Sequence, residues 1–79
     1  MTRALTSDIR REIAALIRAE MGRQGIRNVA LAEMLGKSEV WVSRRIRLEP
    51  EQDFTVPELA AVAAALGVGL PQLIPTEVA

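Results

Sequence analysis

The chain has 79 residues, 49% of them hydrophobic, and a formal net charge of zero. So apolar a chain is not disordered, and at this length it forms one domain, residues 1–79, stabilised by a single well-patterned core. It contains no Cys, His or Tyr, which removes disulfides, thiolate metal sites, the commonest general base and a frequent proton donor. No catalytic, cofactor-binding or metal-binding residue is expected, and no enzymatic activity.

No apolar run approaches the roughly 18 residues of a membrane span, and the polar, charged N-terminus is unlike a signal peptide. A cytoplasmic protein is expected. Residues 1–5 read as a loose arm, and Thr6 or Ser7 can cap a first helix over residues 7–22. Ile9, Ile13, Leu16, Ile17 and Met21 recur at helical spacing, with Gly22 and Gly25 as its stop. A second helix spans 28–35, with Val29, Ala32 and Leu35 as its inner face and Gly36 as its end. A third spans 38–47, capped by Ser38, with Val42 and Ile46 one turn apart on the core side. Residues 48–54, LEPEQDF, form a polar loop. Thr55 and Glu58 form a capping box, with Pro57 in the first turn of a fourth helix over 56–66. Leu59, Val62, Ala63 and Leu66 are its apolar stripe, and Gly67 ends it. A short fifth helix, 70–74, lies between Pro71 and Pro75. Nothing alternates with period two, so the fold class is all-α, with five helices.

The stretch VALAEMLGKSEVWVSRRIR, residues 29–47, joins two of these helices through a tight turn. Ala32 is small enough to let the helices cross, Gly36 makes the turn, and Val42 packs back. Helix-turn-helix geometry requires those residue types at those offsets. An α-helix fits the DNA major groove, and its exposed face must present donors, acceptors or methyls to base edges. The third helix carries such a face.

Leu31 to Ser38, the run Val42-Ser43-Arg44-Arg45-Ile46, and the ALGV at 65–68 resemble the Cro/lambda-repressor-like helix-turn-helix family. The form WVSRR is similar to versions from actinobacteria and their phages. The resemblance covers about residues 9–74. It implies a five-helix DNA-binding domain acting as a homodimer, at least on DNA, on a palindromic or near-palindromic double-stranded operator, with no small-molecule ligand. Asn28 matches a phosphate-contacting position at the start of the second helix. Ser38, Glu39, Val40 and Arg44 match positions facing base edges and the adjoining backbone. Ser43 and Arg47 match flanking positions that reach phosphate.

The side-chain chemistry agrees. Arg44 can fork onto O6 and N7 of guanine, worth about 1–3 kcal/mol of discrimination. Glu39 can accept from a cytosine amino group or stabilise the positive end of its helix, and Val40 can touch a thymine methyl. Lys37, Arg45 and Arg47 suit phosphate contacts, which position without specifying. Trp41 suits either a half-wet packing site or the sugar-phosphate backbone. Three positions depart from the family pattern. Arg45 stands where an aliphatic core residue is usual, so Ile46 is expected to take over as anchor. Arg27 replaces a small capping residue, leaving Asn28 as a cap, a phosphate contact, or both. The loop after the third helix is acidic and lacks the usual glycine.

The zero total hides an asymmetry. All ten cations lie in the first 47 residues alongside five acids, a net +5, and the last 32 residues carry −5. Such a dipole orients an approach to a polyanion. Against these readings, Arg44, Arg45 and Arg47 can be an ordinary solvated face, and Arg10, Arg11 and Arg18 can be solvated or paired with nearby acids. Glu49, Glu51 and Asp53 lack the spacing of a calcium loop and read as a solvated loop. The expected function is a sequence-specific, double-stranded DNA-binding transcriptional regulator, a Cro/repressor-type protein that blocks transcription from an operator. The alternatives are a helical protein-interaction module, antitoxin-like or adaptor, and the DNA-binding half of a longer repressor. Dimer contacts are expected from Leu48, Phe54 and residues 70–74. The location would be the bacterial cytoplasm or nucleoid, or the host cytoplasm if phage-encoded.

Overall fold

Four α-helices and one 3-10 turn make up residues 5–76, the part of the chain described by a computed structural model. They are α1 (Leu5–Gln24), α2 (Asn28–Leu35), α3 (Glu39–Ile46), α4 (Val56–Leu66) and a 3-10 turn, Leu70–Leu73. The described residues contain no strand, as the period of the sequence predicts. The expected fifth α-helix is that 3-10 turn. Gly69 and Pro75 leave too few residues between them for an α-helical ladder, and Pro75 disfavours α geometry at Ile74. The segment closes instead with short-range bonds from Gln72 N–H to the Gly69 carbonyl (3.0 Å) and from Ile74 N–H to that of Pro71 (3.3 Å).

α1 is longer at both ends than its sequence signals predict. It begins at Leu5, so Thr6 and Ser7 lie inside it, and it continues through Gly22. Residues 1–4 of the expected arm lie outside the described residues. The real stop is Gly25 at φ +71°, where Ile26 N–H reaches back to the Met21 carbonyl at 2.9 Å. Gly36 and Gly67 end α2 and α4 by the same left-handed device.

The core is assembled from every element. α1 supplies Ala14, Ile17 and Met21, α2 Leu31 and Ala32, and α3 Val42 and Ile46. α4 supplies Leu59, Val62, Ala63 and Leu66, and the 3-10 turn Leu73. Two expectations are corrected. Val29 is 51% exposed while Leu31 is fully buried. α2 is apolar on more than one side, so spacing alone does not choose between 29-32-35 and 31-32-35, and packing against α3 and α4 makes the choice. On α1 the buried line runs through Ala14, with Ile9, Ile13 and Leu16 half-buried at its edge. Of the residues expected at a dimer contact, Leu73 is buried at 1% exposure and Phe54 is half-buried against the core, whereas Leu48 is 77% exposed.

α4 begins with the predicted capping box. The Thr55 hydroxyl accepts from Glu58 N–H at 3.2 Å, and the Glu58 carboxylate accepts from Thr55 N–H at 2.8 Å. The Thr55 N–H holds that carboxyl below its ordinary 4.5. The Thr55 hydroxyl and the charges of Arg45 and Lys37 act in the same direction, against a desolvation effect that raises it. A carboxyl depressed by folding stabilises above its unfolded value and loses that contribution as pH falls through its folded value. Glu58→Gln should therefore be less stable than wild type at pH 7, with the difference shrinking as the pH falls through the folded value, as read by thermal unfolding.

A Cβ at Gly22 would meet no atom within 4 Å. Gly22→Ala should therefore stabilise the interior of α1 by about 0.5–1 kcal/mol. Gly25→Ala, forced into the left-handed region, should cost about 1 kcal/mol. Urea denaturation of the two variants would show opposite shifts if α1 runs through the first glycine and stops at the second.

Candidate nucleic-acid interface

α2, the turn at Gly36 and Lys37, and α3 form a helix-turn-helix. The turn closes with Lys37 N–H bonded to the Ala32 carbonyl at 2.9 Å. Ser38 caps α3, its hydroxyl accepting from Trp41 N–H at 3.0 Å. That bond engages one of the orphan donors of the first turn. Glu39 occupies the first turn, where a carboxylate favours the positive helix end.

Three sides of α3 have separate duties. Val42 and Ile46, 1% and 3% exposed, face the core. At about 100° per residue, Val40 and Arg44 point the opposite way. Both are exposed, and the Arg44 side chain makes no hydrogen bond or ion pair within the described residues. The third side carries Trp41 and Arg45. The Arg45 guanidinium lies 4.0 Å from the Trp41 ring centroid and donates to the Trp41 carbonyl at 3.1 Å. Lys37 Nζ is 5.2 Å from the same ring, and Phe54 meets it edge-on at 5.8 Å. Trp41 and Arg45 are both half-buried. The half-wet packing reading of Trp41 therefore describes its surroundings in the free chain.

Asn28, Ser43 and Arg47 come together around one open depression of about 390 Å³, with Arg18 of α1 on its rim and Met21 and Ile46 on its floor. Asn28 is the first residue of α2, not its cap. The cap position is Arg27, whose side chain makes no capping bond, and no acid occupies the first turn. The N-terminal amides of α2 thus present an uncompensated positive end close to this depression. Ser43 Oγ donates to the Val40 carbonyl at 3.4 Å. Arg47 pairs with Glu51 at 2.8 Å.

Arg18 was not a candidate by sequence. Its guanidinium donates to the Ile46 carbonyl, satisfying part of the C-terminal end of α3. The available signal was indirect: α3 has no C-terminal glycine, so its last carbonyls need donors from elsewhere. Glu51 supplies a second, its N–H bonding the Arg44 carbonyl at 2.8 Å.

No protein-family model matches the chain, and no curated relative matches it by sequence. Solved structures do match. The clp gene regulator ClgR from Corynebacterium glutamicum is 26% identical, with a TM-score of 0.71 over 80% of each chain. The hypothetical transcription factor NHTF from Neisseria is 26% identical, with a TM-score of 0.77 over 98% of this chain and 89% of that one. The hydroxypropylphosphonic acid epoxidase from S. wedmorenis is 24% identical, with a TM-score of 0.78 over 89% of this chain. This chain spans only 36% of that enzyme's length, so the likeness is one of fold in a part of it. The all-helical fold is thus shared with proteins described as regulators of genes.

The nitrogen Nε of Arg45 is buried without a hydrogen-bond partner, a cost set against the stack over Trp41. Arg45→Ala should remove both the stack and the packing of its aliphatic stem, lowering stability by about 1–2 kcal/mol and shifting Trp41 emission to the red. Arg45→Met, which keeps the stem and removes the buried nitrogen, should recover most of the stability. Equilibrium denaturation followed by tryptophan fluorescence reads both effects.

Proposed function

We propose that this chain is a sequence-specific, double-stranded DNA-binding transcriptional regulator of the Cro/repressor type, acting in the cytoplasm or nucleoid by occupying an operator. The observation that carries this reading is α3 itself. It is a short helix pinned from behind by Val42 and Ile46, with the Arg44 side chain directed outward and without a partner among the described residues. Likeness of fold to ClgR and NHTF supports the class. Arg44 reads guanine, Val40 and Glu39 read beside it, and Ser38 holds the helix end that faces the groove. Lys37 and the amide end of α2 at Asn28, with Ser43 across the depression, hold phosphates. Trp41 and Arg45 brace α3 from the side and act on DNA through its placement.

The reading includes a homodimer on DNA. The outward side of α4 carries exposed Val56, Ala60, Ala61 and Ala64 with no charge among them. A solvated helix face ordinarily carries charge, so this face suits a second copy. Two α3 helices in such a dimer would lie about 34 Å apart, one turn of DNA. The epoxidase likeness carries no activity across, because it is confined to a third of that enzyme.

A helical protein-interaction module is the second reading. It is favoured by the number of cations already paired with acids: Arg10, Arg11, Arg23 and Arg47. Binding to duplexes selected from a random pool separates the two. DNA binding should fall steeply with salt, and no duplex bound at low salt would leave the protein-interaction module. Within the DNA reading, Arg44→Ala should cost the selected duplex about 1–3 kcal/mol and random duplex much less, whereas Lys37→Ala should weaken both alike. Equal losses from Arg44→Ala on both duplexes would make Arg44 a phosphate contact.

A further inference from the structure

The loop between α3 and α4 places each of its three acids on an arginine. Asp53 takes Arg10 of α1 through both carboxylate oxygens, with Nε donating to Oδ1 and Nη2 to Oδ2 at 3.1 Å. Glu49 lies 3.5 Å from Arg11 of α1. Glu51 holds Arg47, the residue that ends α3, at 2.8 Å. The loop is tied down by its backbone as well. Glu51 N–H bonds the Arg44 carbonyl at 2.8 Å, and Arg10 Nη1 donates to the Pro50 carbonyl at 3.4 Å. Three acids, from a short segment, thus meet cations of two different helices at the C-terminal end of α3.

Stability explains only part of this arrangement. All three acids are exposed, from 55% at Glu51 to 79% at Glu49. The single-pronged pairs Glu49–Arg11 and Glu51–Arg47 contribute at most about 1 kcal/mol each, and only the two-pronged Asp53–Arg10 pair has the geometry to add more. Their effect on a polyanion is larger. A cation already facing a carboxylate releases no counterion when a phosphate arrives unless the pair breaks, and counterion release supplies the sequence-independent part of DNA affinity. Much of the remaining positive charge among the described residues is also committed. Arg23 pairs with Glu20, Arg18 is on the Ile46 carbonyl, and Arg45 is on Trp41. Among the described residues, the side chains of Arg27 and Arg44 have no hydrogen bond or ion pair, and the Lys37 ammonium lies over the Trp41 ring.

We propose that Glu49, Glu51 and Asp53 form an electrostatic shield that lowers the sequence-independent part of DNA affinity by occupying Arg10, Arg11 and Arg47 with carboxylates. This rests on the DNA-binding reading. The shield lowers affinity for any duplex by the same phosphate term, so base reading by Arg44 accounts for a larger share of what remains. Because that term is common to every duplex it cancels from the ratio of affinities: the shield sets how tightly and how salt-dependently the chain holds DNA, and Arg44 sets which sequence it prefers.

The test compares the full chain with Glu49→Gln/Glu51→Gln/Asp53→Asn, measuring binding to a random-sequence duplex and to a duplex selected by the wild-type chain, across a salt series. The triple variant should bind random duplex more tightly at low salt. Its log–log salt slope should steepen by about 0.9 for each cation released, on the selected and the random duplex alike, and its ratio of selected to random affinity should stay the same. Glu51→Gln alone should show about one such increment, and adding Arg47→Ala should remove it. The single variant keeps the test open if the triple one fails to fold, which circular dichroism would reveal. An unchanged slope in folded variants would overturn the shield, leaving ordinary surface ion pairs. If the wild-type chain itself binds no duplex at low salt, the DNA reading fails and the shield with it, and the two failures are told apart by the wild-type arm alone.

Discussion

An eight-residue helix does not hold its shape alone in water, so α3 exists because Val42 and Ile46 are seated in the core it shares with α1 and α2. Everything that makes α3 usable follows from that seat. Ser38 secures its first turn, and Arg18 and the Glu51 amide secure its last. With both ends and the inner side held, the backbone that carries the outward residues is fixed before binding, and only their side chains remain to be ordered. A rigid element carrying a few outward side chains is what directional recognition of a surface requires.

Charge is distributed by the same logic of prior commitment. A net charge of zero argues against a nucleic-acid partner, and a +5 segment followed by a −5 segment argues for one. The folded chain shows why neither number is sufficient. The acids of the loop after α3 come back onto the cations of α1 and α3, so the two halves neutralise each other where they touch. What stays open is a small set led by Arg44, on the side of α3 turned away from the core. A count of charges along the chain gives the dipole, and only their pairing gives the available field.

The features legible in the sequence were those determined within a few residues. Gly36 as the end of α2, Ser38 as the cap of α3, the Thr55–Glu58 box and Gly67 are local hydrogen-bonding events, and each stands where its residue type demands. The core pair of α3 was legible for the same reason, being one turn apart on an otherwise polar helix. What the sequence left undetermined depends on partners far along the chain. Val29 and Leu31 compete for the inner face of α2, and the answer lies in what packs there. Gly22 reads as a stop and is an ordinary helical residue, because the left-handed turn forms at Gly25. Arg18 is unremarkable until α3 needs a donor at its end. Among the candidate DNA-facing residues, helical spacing alone separates Val40 and Arg44 from Val42 and Ile46. It does not reveal that Arg45 covers Trp41 or that Arg47 is held by Glu51.

Arg45 in an aliphatic position has a geometric consequence for the reading face. Residues at i+3 and at i+4 both lie on the side of residue i, so Val42 can be anchored together with residue 45 or with Ile46. The two choices differ in the roll of the helix. At about 100° per residue, the midline of positions 42 and 46 is turned by roughly 50° from that of 42 and 45. Anchoring through 42 and 45 would put residues 40 and 47 at the crest of the outward side. With Ile46 buried at 3% and Arg45 displaced onto Trp41, the crest falls on Arg44, the one residue of α3 with both a planar donor fork and no internal partner among the described residues. Burying Ile46 instead of residue 45 thus frees room on the flank for the Trp41 stack and turns the arginine best suited to a base edge to the front of the helix.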